Sequence, residues 1–179
     1  MSKPPSGLFH GTKGDRAYRG DAESVIAARV KGLDLREHPT TQKQLGNKQR
    51  KEIRKKIKNR TATRTEWKQI EWDRRIRKRR KDGIDDFWAK EAIRLSNGEK
   101  STRNWSPEQA SQILAGKKPK FNGKTMESHH TYSVRKYPHL ANLGEIIYPA
   151  TQTEHRKGWH GGNTRNSLPG RRIRPINEF

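Results

Sequence analysis

Five of the seven histidines fall between residues 129 and 160, and two of them, His129 and His130, are adjacent. Neutral imidazole is a good ligand for a divalent ion. Metal-assisted cleavage of a phosphodiester needs a Lewis acid on the phosphate and a separate general base for water. Two or three histidines on an ion and one beside it would supply both. The chain has no cysteine, so thiolate metal sites and disulfides are excluded. The bland alternative is a set of ordinary surface or satisfied core histidines.

The elements around these residues must bring them together. Thr125 to Val134 alternates loosely and is read as a strand. Neighbours in a strand face opposite ways, so His129 and His130 would not share one task. Asn142-Leu143-Gly144 reads as a turn and Glu145 to Tyr148 as a second strand. Thr151 and Glu154 have the spacing of a capping box, which starts a helix at Gln152 and puts His155 in its first turn. This strand, strand, helix order can bring His129 and His155 together. His160 lies five residues beyond His155. On an ideal α-helix that is a rotation of roughly 140°, so convergence needs a helical bulge near Gly158 or an early helix end.

Upstream the chain is strongly basic. Lys plus Arg number 41 against 19 acids, a formal charge of +22. Between Thr41 and Lys81 there are 18 Lys or Arg and only Glu52, Glu66, Glu71 and Asp73 to oppose them. Narrow apolar stripes, Ile53 with Ile57 and Trp72 with Ile76, predict two charged helices broken near the threonines at 61, 63 and 65. A third helix is expected after Gly83 and a fourth from Ser106, with Ile113 and Leu114 buried and Gly116 as its stop. Asp21 is a candidate cap for a short helix ended by Gly32. Residues 4–20 read as a loop or linker, as in a segment of a longer protein. The expected division is 1–40 as lead-in, 41–119 as basic helical region and 120–179 as the histidine-bearing core with a basic tail. The fold class expected is α+β.

A one-signed charge excess is costly alone and favourable against phosphate. The expected partner is a polyanion, with Arg74, Arg75, Arg77, Arg79, Arg171 and Arg172 as candidate backbone contacts. Trp67 and Trp72 could stack on bases but are expected to be core. His10, His38 and His139 receive no role. Leu8 to Thr12 fits no phosphate-loop pattern. No apolar run is long enough to cross a membrane, and no secretory leader pattern opens the chain.

The stretch from Lys124 to Asn166 resembles the HNH, or ββα-metal, nucleases. It is most similar to the His-His branch of colicin-type DNases and to the GHH members of bacterial toxin tips. The resemblance rests on Glu127-Ser128-His129-His130, Ile147 to Thr151, Glu154-His155 and Trp159-His160-Gly161-Gly162-Asn163. It implies a C-terminal ββα-metal unit that hydrolyses phosphodiesters by a single-metal mechanism. His129, His155 and His160 would hold one divalent ion (Zn²⁺, Mg²⁺, Mn²⁺ or Ni²⁺). His130 would be the general base, and Glu127 would orient the site. The middle Asn of the HNH pattern is replaced by Ile146, with Asn142 a candidate substitute. The resemblance also implies a DNA substrate, with RNA as the alternative, and a small acidic immunity protein. It further implies delivery as a secreted effector into the cytoplasm of a competing bacterium. Two other readings are a non-catalytic basic module that binds RNA or DNA and a structural part of a ribonucleoprotein.

Overall fold

The computed structural model describes residues 22–179. The lead-in through residue 20, with His10, and the proposed cap at Asp21 lie outside the described residues. Helix is seen over residues 22–29 (α1), followed by Gly32 at φ +87°. Then come α2 (Asn47–Lys58), α3 (Arg64–Ser96) and α4 (Pro107–Leu114). Two small antiparallel sheets follow. One pairs β1 (Lys120–Phe121) with β2 (Lys124–Thr125), and the other pairs β3 (Glu127–His130) with β4 (Ile147–Ala150). A π-helix, Glu154–Trp159, closes the regular structure. The fold is α+β.

The two-helix break is where the threonines placed it. Thr63 caps α3: its hydroxyl accepts from the Glu66 amide (3.1 Å), and the Glu66 carboxylate accepts from the Thr63 amide (2.9 Å). The predicted start of a new helix after Gly83 is corrected by the structure. One helix runs unbroken for 33 residues, roughly 50 Å at 1.5 Å per residue. A helical glycine costs about 1 kcal/mol relative to alanine, and here the reason for it is contact. A β-carbon at Gly83 would collide with the carbonyl oxygen of Ala141. The helix ends at Asn97, with Gly98 at φ +66°. Ser106 and Gln109 cap α4 as expected, and Ile113 is buried, but Leu114 is 53% exposed.

The strands also differ from expectation. Lys124 and Thr125 belong to the β1–β2 hairpin, and Met126, 2% exposed, separates it from β3. The chain leaves β3 after His130, because the Thr131 amide and hydroxyl both bond to the Ile146 carbonyl (2.9 and 2.6 Å) and the chain turns away. The second strand starts at Ile147 rather than Glu145, after a 3₁₀ turn at Gly144–Ile146. Its register sets His129 opposite Tyr148 and His130 opposite Ile147.

One apolar cluster joins Ile26 of α1, Val30 just after it, Phe87 of α3 and the segment from Tyr132 to Trp159. Thus α3 is basic at its N-terminal end and a core element at its C-terminal end. Leu45, Ile53 and Ile70 pack α2 on α3. Buried Asp73 fastens the same joint by accepting from the Leu45 amide (2.8 Å) and pairing with Arg50 (3.6 Å). Trp72 packs beside Ile76, Val134 and Ala141, whereas Trp67 is 47% exposed and stays available for stacking.

Candidate metal centre and active site

His129 sits on β3 and is 4% exposed. Its ring lies 4.8 Å from that of His155 and 5.0 Å from that of His160, and the latter two are 5.0 Å apart. One ligating nitrogen from each falls within 4.8 Å of the others. That is close to the span of about 4 Å open to two nitrogens sharing an ion at ~2 Å.

The five-residue spacing of His155 and His160 is accommodated by helix type. The His160 amide bonds to the His155 carbonyl (3.2 Å), an i to i+5 bond. This wider turn brings onto one face two side chains that an α-helix would splay. Gly158 lies inside it, with Arg174 and Ile176 of the C-terminal tail packed against its α-carbon side. The turn starts at the expected capping box. Thr151 and Glu154 exchange amide bonds of 2.9 and 3.1 Å. Glu154 also pairs with buried Arg103 (2.6 Å), whose guanidinium reaches the Pro149 carbonyl (3.0 Å) and lies 4.3 Å over the Phe179 ring. Strand, π-helix and tail are therefore fixed to one another.

Each outer histidine has one nitrogen already engaged. Glu127, two residues before His129 and on its face of β3, accepts from His155 Nδ1. The Asn166 carbonyl accepts from His160 Nδ1 (2.5 Å). Metal-bound histidines show this pattern, in which the remote N–H is given away and the other nitrogen presented to the ion. Burial, then the neighbouring His155 and His160, hold His129 well below its usual pKa. Burial also lowers His155, outweighing Glu127. Both rings are thus neutral at pH 7, the state a metal requires. Three imidazoles, of which His129 and His155 are held neutral by burial, fit a divalent ion.

His130 faces elsewhere. Its Nε2 donates to the Ala141 carbonyl (3.0 Å), which leaves Nδ1 as the basic nitrogen, buried and without a hydrogen-bond partner. Burial pushes it down to about 4, partly opposed by the Ala141 carbonyl. It is unprotonated at neutral pH and able to take a proton, as a weaker base than free imidazole.

The arginines divide. Arg74, Arg75 and Arg77 are exposed on α3, and Arg74 is paired with Glu71 (3.0 Å). Arg79 instead bonds the Pro138 carbonyl (3.3 Å), the His139 carbonyl (2.9 Å) and Asn142 Oδ1 (2.6 Å). Arg171 is exposed, while Arg172 is half-buried and reaches the Ile176 carbonyl (3.4 Å). One cation was missed by the sequence reading. Arg80 is half-buried, donates to Gln44 Oε1 (3.0 Å), has no carboxylate partner among the described residues, and acts on both His129 and His130. It shares the helical stripe of Ile76, Gly83 and Phe87, a pattern present in the sequence but hidden in the Arg-Lys-Arg-Arg run.

His38 and His139 meet at Asp34, outside the site. His38 Nε2 donates to Asp34 Oδ2 (3.0 Å) and His139 Nε2 to the Asp34 carbonyl (2.7 Å). Arg36 already holds that carboxylate through two nitrogens (2.8 and 3.0 Å).

Residues 70–151 match the family model of GHH-signature-containing nuclease toxins of the HNH/Endo VII superfamily. This segment is a nuclease toxin domain. It runs from the second turn of α3 through β4 and ends before His155 and His160. Its one His-His pair is preceded here by Ser128 rather than glycine, and the Ser128 hydroxyl accepts from Trp88 Nε1 (2.9 Å). A nuclease toxin domain implies a hydrolase acting on nucleic acid, with a target cell as its place of action. HNH and GHH nucleases depend on a metal. No curated protein and no solved structure matches the chain. Among the described residues no helix is long and apolar enough to cross a membrane.

Proposed function

We propose that the protein is a metal-dependent endonuclease that hydrolyses DNA as the toxic part of a delivered bacterial effector. The observation that carries this reading is the convergence of His129, His155 and His160 beside a separately oriented His130, within and just beyond a nuclease toxin domain. Residues 120–179 would carry a ββα-metal unit, and 41–119 would present it to the substrate.

His129, His155 and His160 would hold one divalent ion, with Glu127 steering His155. Bound there, such an ion would supply Lewis acidity to the scissile phosphodiester. His130 Nδ1 takes a proton from the attacking water while Nε2 stays on the Ala141 carbonyl. Arg80 offers a positive charge not neutralised by a carboxylate for the phosphodiester to meet. Arg74, Arg75, Arg77 and Arg171 contact the flanking backbone, with Arg172 supporting the tail.

Nicking of supercoiled plasmid with Mg²⁺, Mn²⁺, Ni²⁺ or Zn²⁺, with and without chelator, tests the proposal. Cutting that needs the ion and stops in His130→Ala is expected. A chain that retards the plasmid on a gel and never cuts it would be a basic binding module instead.

A further inference from the structure

His130 is oriented by one hydrogen bond, and its acceptor, the Ala141 carbonyl, sits in an irregular loop between β3 and β4. Loop carbonyls are poor anchors unless something fixes them. The residue just before β4, Ile146, is wholly buried and apolar and offers the loop no side-chain bond. The fixing groups come from α3. Arg79 spans the loop with bonds to the Pro138 and His139 carbonyls and to Asn142 Oδ1, on both sides of Ala141. One helical turn on, Gly83 has no side chain, and that allows the Ala141 carbonyl and the Asn142 backbone to lie directly against the helix. From the far side the loop is held by the His139 to Asp34 bond and by amides of His38 and Thr40 on the carbonyls of Lys136 and Arg135 (2.8 and 3.3 Å). Ala141 itself is 0% exposed.

We propose that Arg79 and Gly83 form a clamp on the 138–142 loop that sets the ring orientation and tautomer of His130, with Arg79 a positioning residue rather than a phosphate contact. The inference rests on the nuclease reading for its effect on rate, but the clamp itself is visible without catalysis. With Nε2 committed to Ala141, the proton of the neutral ring stays there and Nδ1 is kept as the acceptor. If the loop slackens, the tautomers mix and the ring turns, and the base is lost from the productive geometry. A displacement of that kind costs roughly 10²-fold in rate without changing how tightly substrate or metal is held.

Arg79→Ala, Arg79→Lys and Gly83→Ala test this in the full chain, with circular dichroism to verify folding. The first readout is the His130 ring proton in a nitrogen-edited NMR spectrum, identified by its disappearance in His130→Ala. It should be protected in the parent and exchange freely in Arg79→Ala and Gly83→Ala. The second is plasmid cleavage, where kcat should fall roughly 10–100-fold with KM and calorimetric Zn²⁺ affinity within about twofold. Arg79→Lys should recover part of the rate, because an ammonium can reach one of the three acceptors but not all. If Arg79→Ala does not fold, Arg79→Lys and Gly83→Ala decide the matter by the same two readouts. Unchanged kcat with a protected ring proton would overturn the clamp. So would a raised KM and a shallower salt dependence at full kcat, the signature of a phosphate contact. If the parent cuts no plasmid with any ion, the nuclease reading fails, and the ring proton alone decides: lost protection supports the clamp, retained protection removes it.

Discussion

At the scale of single residues, the three histidines of the cluster and His130 should separate cleanly. His129→Ala and His155→Ala should lose metal affinity, while His130→Ala should keep it and lose roughly 10²–10⁴-fold in rate. Glu127→Gln should weaken the metal by about 10–100-fold, because the carboxylate only steers His155. Calorimetric titration of the four variants checks the affinities and plasmid cleavage the rate, and unchanged binding in His155→Ala would remove that residue from the ion. Much of this grouping was legible in the sequence. Adjacent histidines on a strand must diverge, and a capping box fixes where the next histidine enters its helix. Arg80 was overlooked, because in a run of six arginines and lysines among seven residues only its place in the stripe of Ile76, Gly83 and Phe87 marks the one turned inward. Arg79 was grouped with the exposed arginines for the same reason, although its bonds go to the loop.

Secondary-structure elements carry two further expectations. Glu91 is buried on α3 and accepts from the Thr102 amide and hydroxyl (both 2.7 Å) and from Trp105 Nε1 (2.6 Å), with Arg94 alongside. Burial by itself would raise its pKa, but these bonds outweigh that and the net shift is downward. Its folded pKa therefore lies below the unfolded one. The stability it contributes is present above the unfolded value, about 4.3, and is lost as pH falls through the folded value. Urea melts at pH 7 and pH 3 should show the parent losing stability on acidification. Glu91→Ala, about 3 kcal/mol weaker at pH 7 from the stranded partners, should lose less over the same interval. The second expectation concerns the π-helix. Deleting exposed Lys157 shortens the spacing of His155 and His160 to four, which an ordinary α-helix places about 40° apart. Metal affinity should survive within about tenfold, and a total loss would mean that the wider turn is itself required. The helix ends at Thr63, Ser106, Thr151 and Gly98 were readable, because these residues act through bonds within a turn, whereas α2 begins at Asn47, later than the basic segment that opens at Thr41. Gly83 was misread, since a glycine that breaks a helix and one that admits a neighbouring backbone look alike until Ala141 is in place. The strand ends were displaced because Thr131 and Ile146 are partners fifteen residues apart whose pairing local alternation does not encode.

Across the whole molecule, exposed positive charge and core packing occupy different ends of one helix. Arg74, Arg75 and Arg77 lie on the exposed side of α3, and its C-terminal end is built into the core beneath the histidines. Affinity for nucleic acid should therefore fall steeply with salt, and replacing these three by Gln should flatten the slope of log K against log salt by about 2–3, with base preference unchanged. An unaltered slope in a fluorescence titration would show that this face meets something else. The same face bears on survival of the producing cell. On the proposed toxin reading, a nuclease of charge +22 needs an inhibitor in the cell that makes it, and we propose a small acidic protein that associates quickly by long-range attraction. Such a partner could lie over the histidines or beside them, excluding DNA by bulk and repulsion. The exposed arginines of α3 are the natural place for it to dock, so the Arg74/Arg75/Arg77→Gln variant should lose affinity for the inhibitor mainly through a slower association rate. In bacteria the unmodified chain should be toxic, His130→Ala should be tolerated, and co-expression of an acidic protein encoded beside the toxin should rescue growth. Harmless accumulation of the unmodified chain without any inhibitor would defeat the toxin reading, whereas binding of the inhibitor that persists in His130→Ala pull-downs would show that it recognises the folded surface and not the His130 ring.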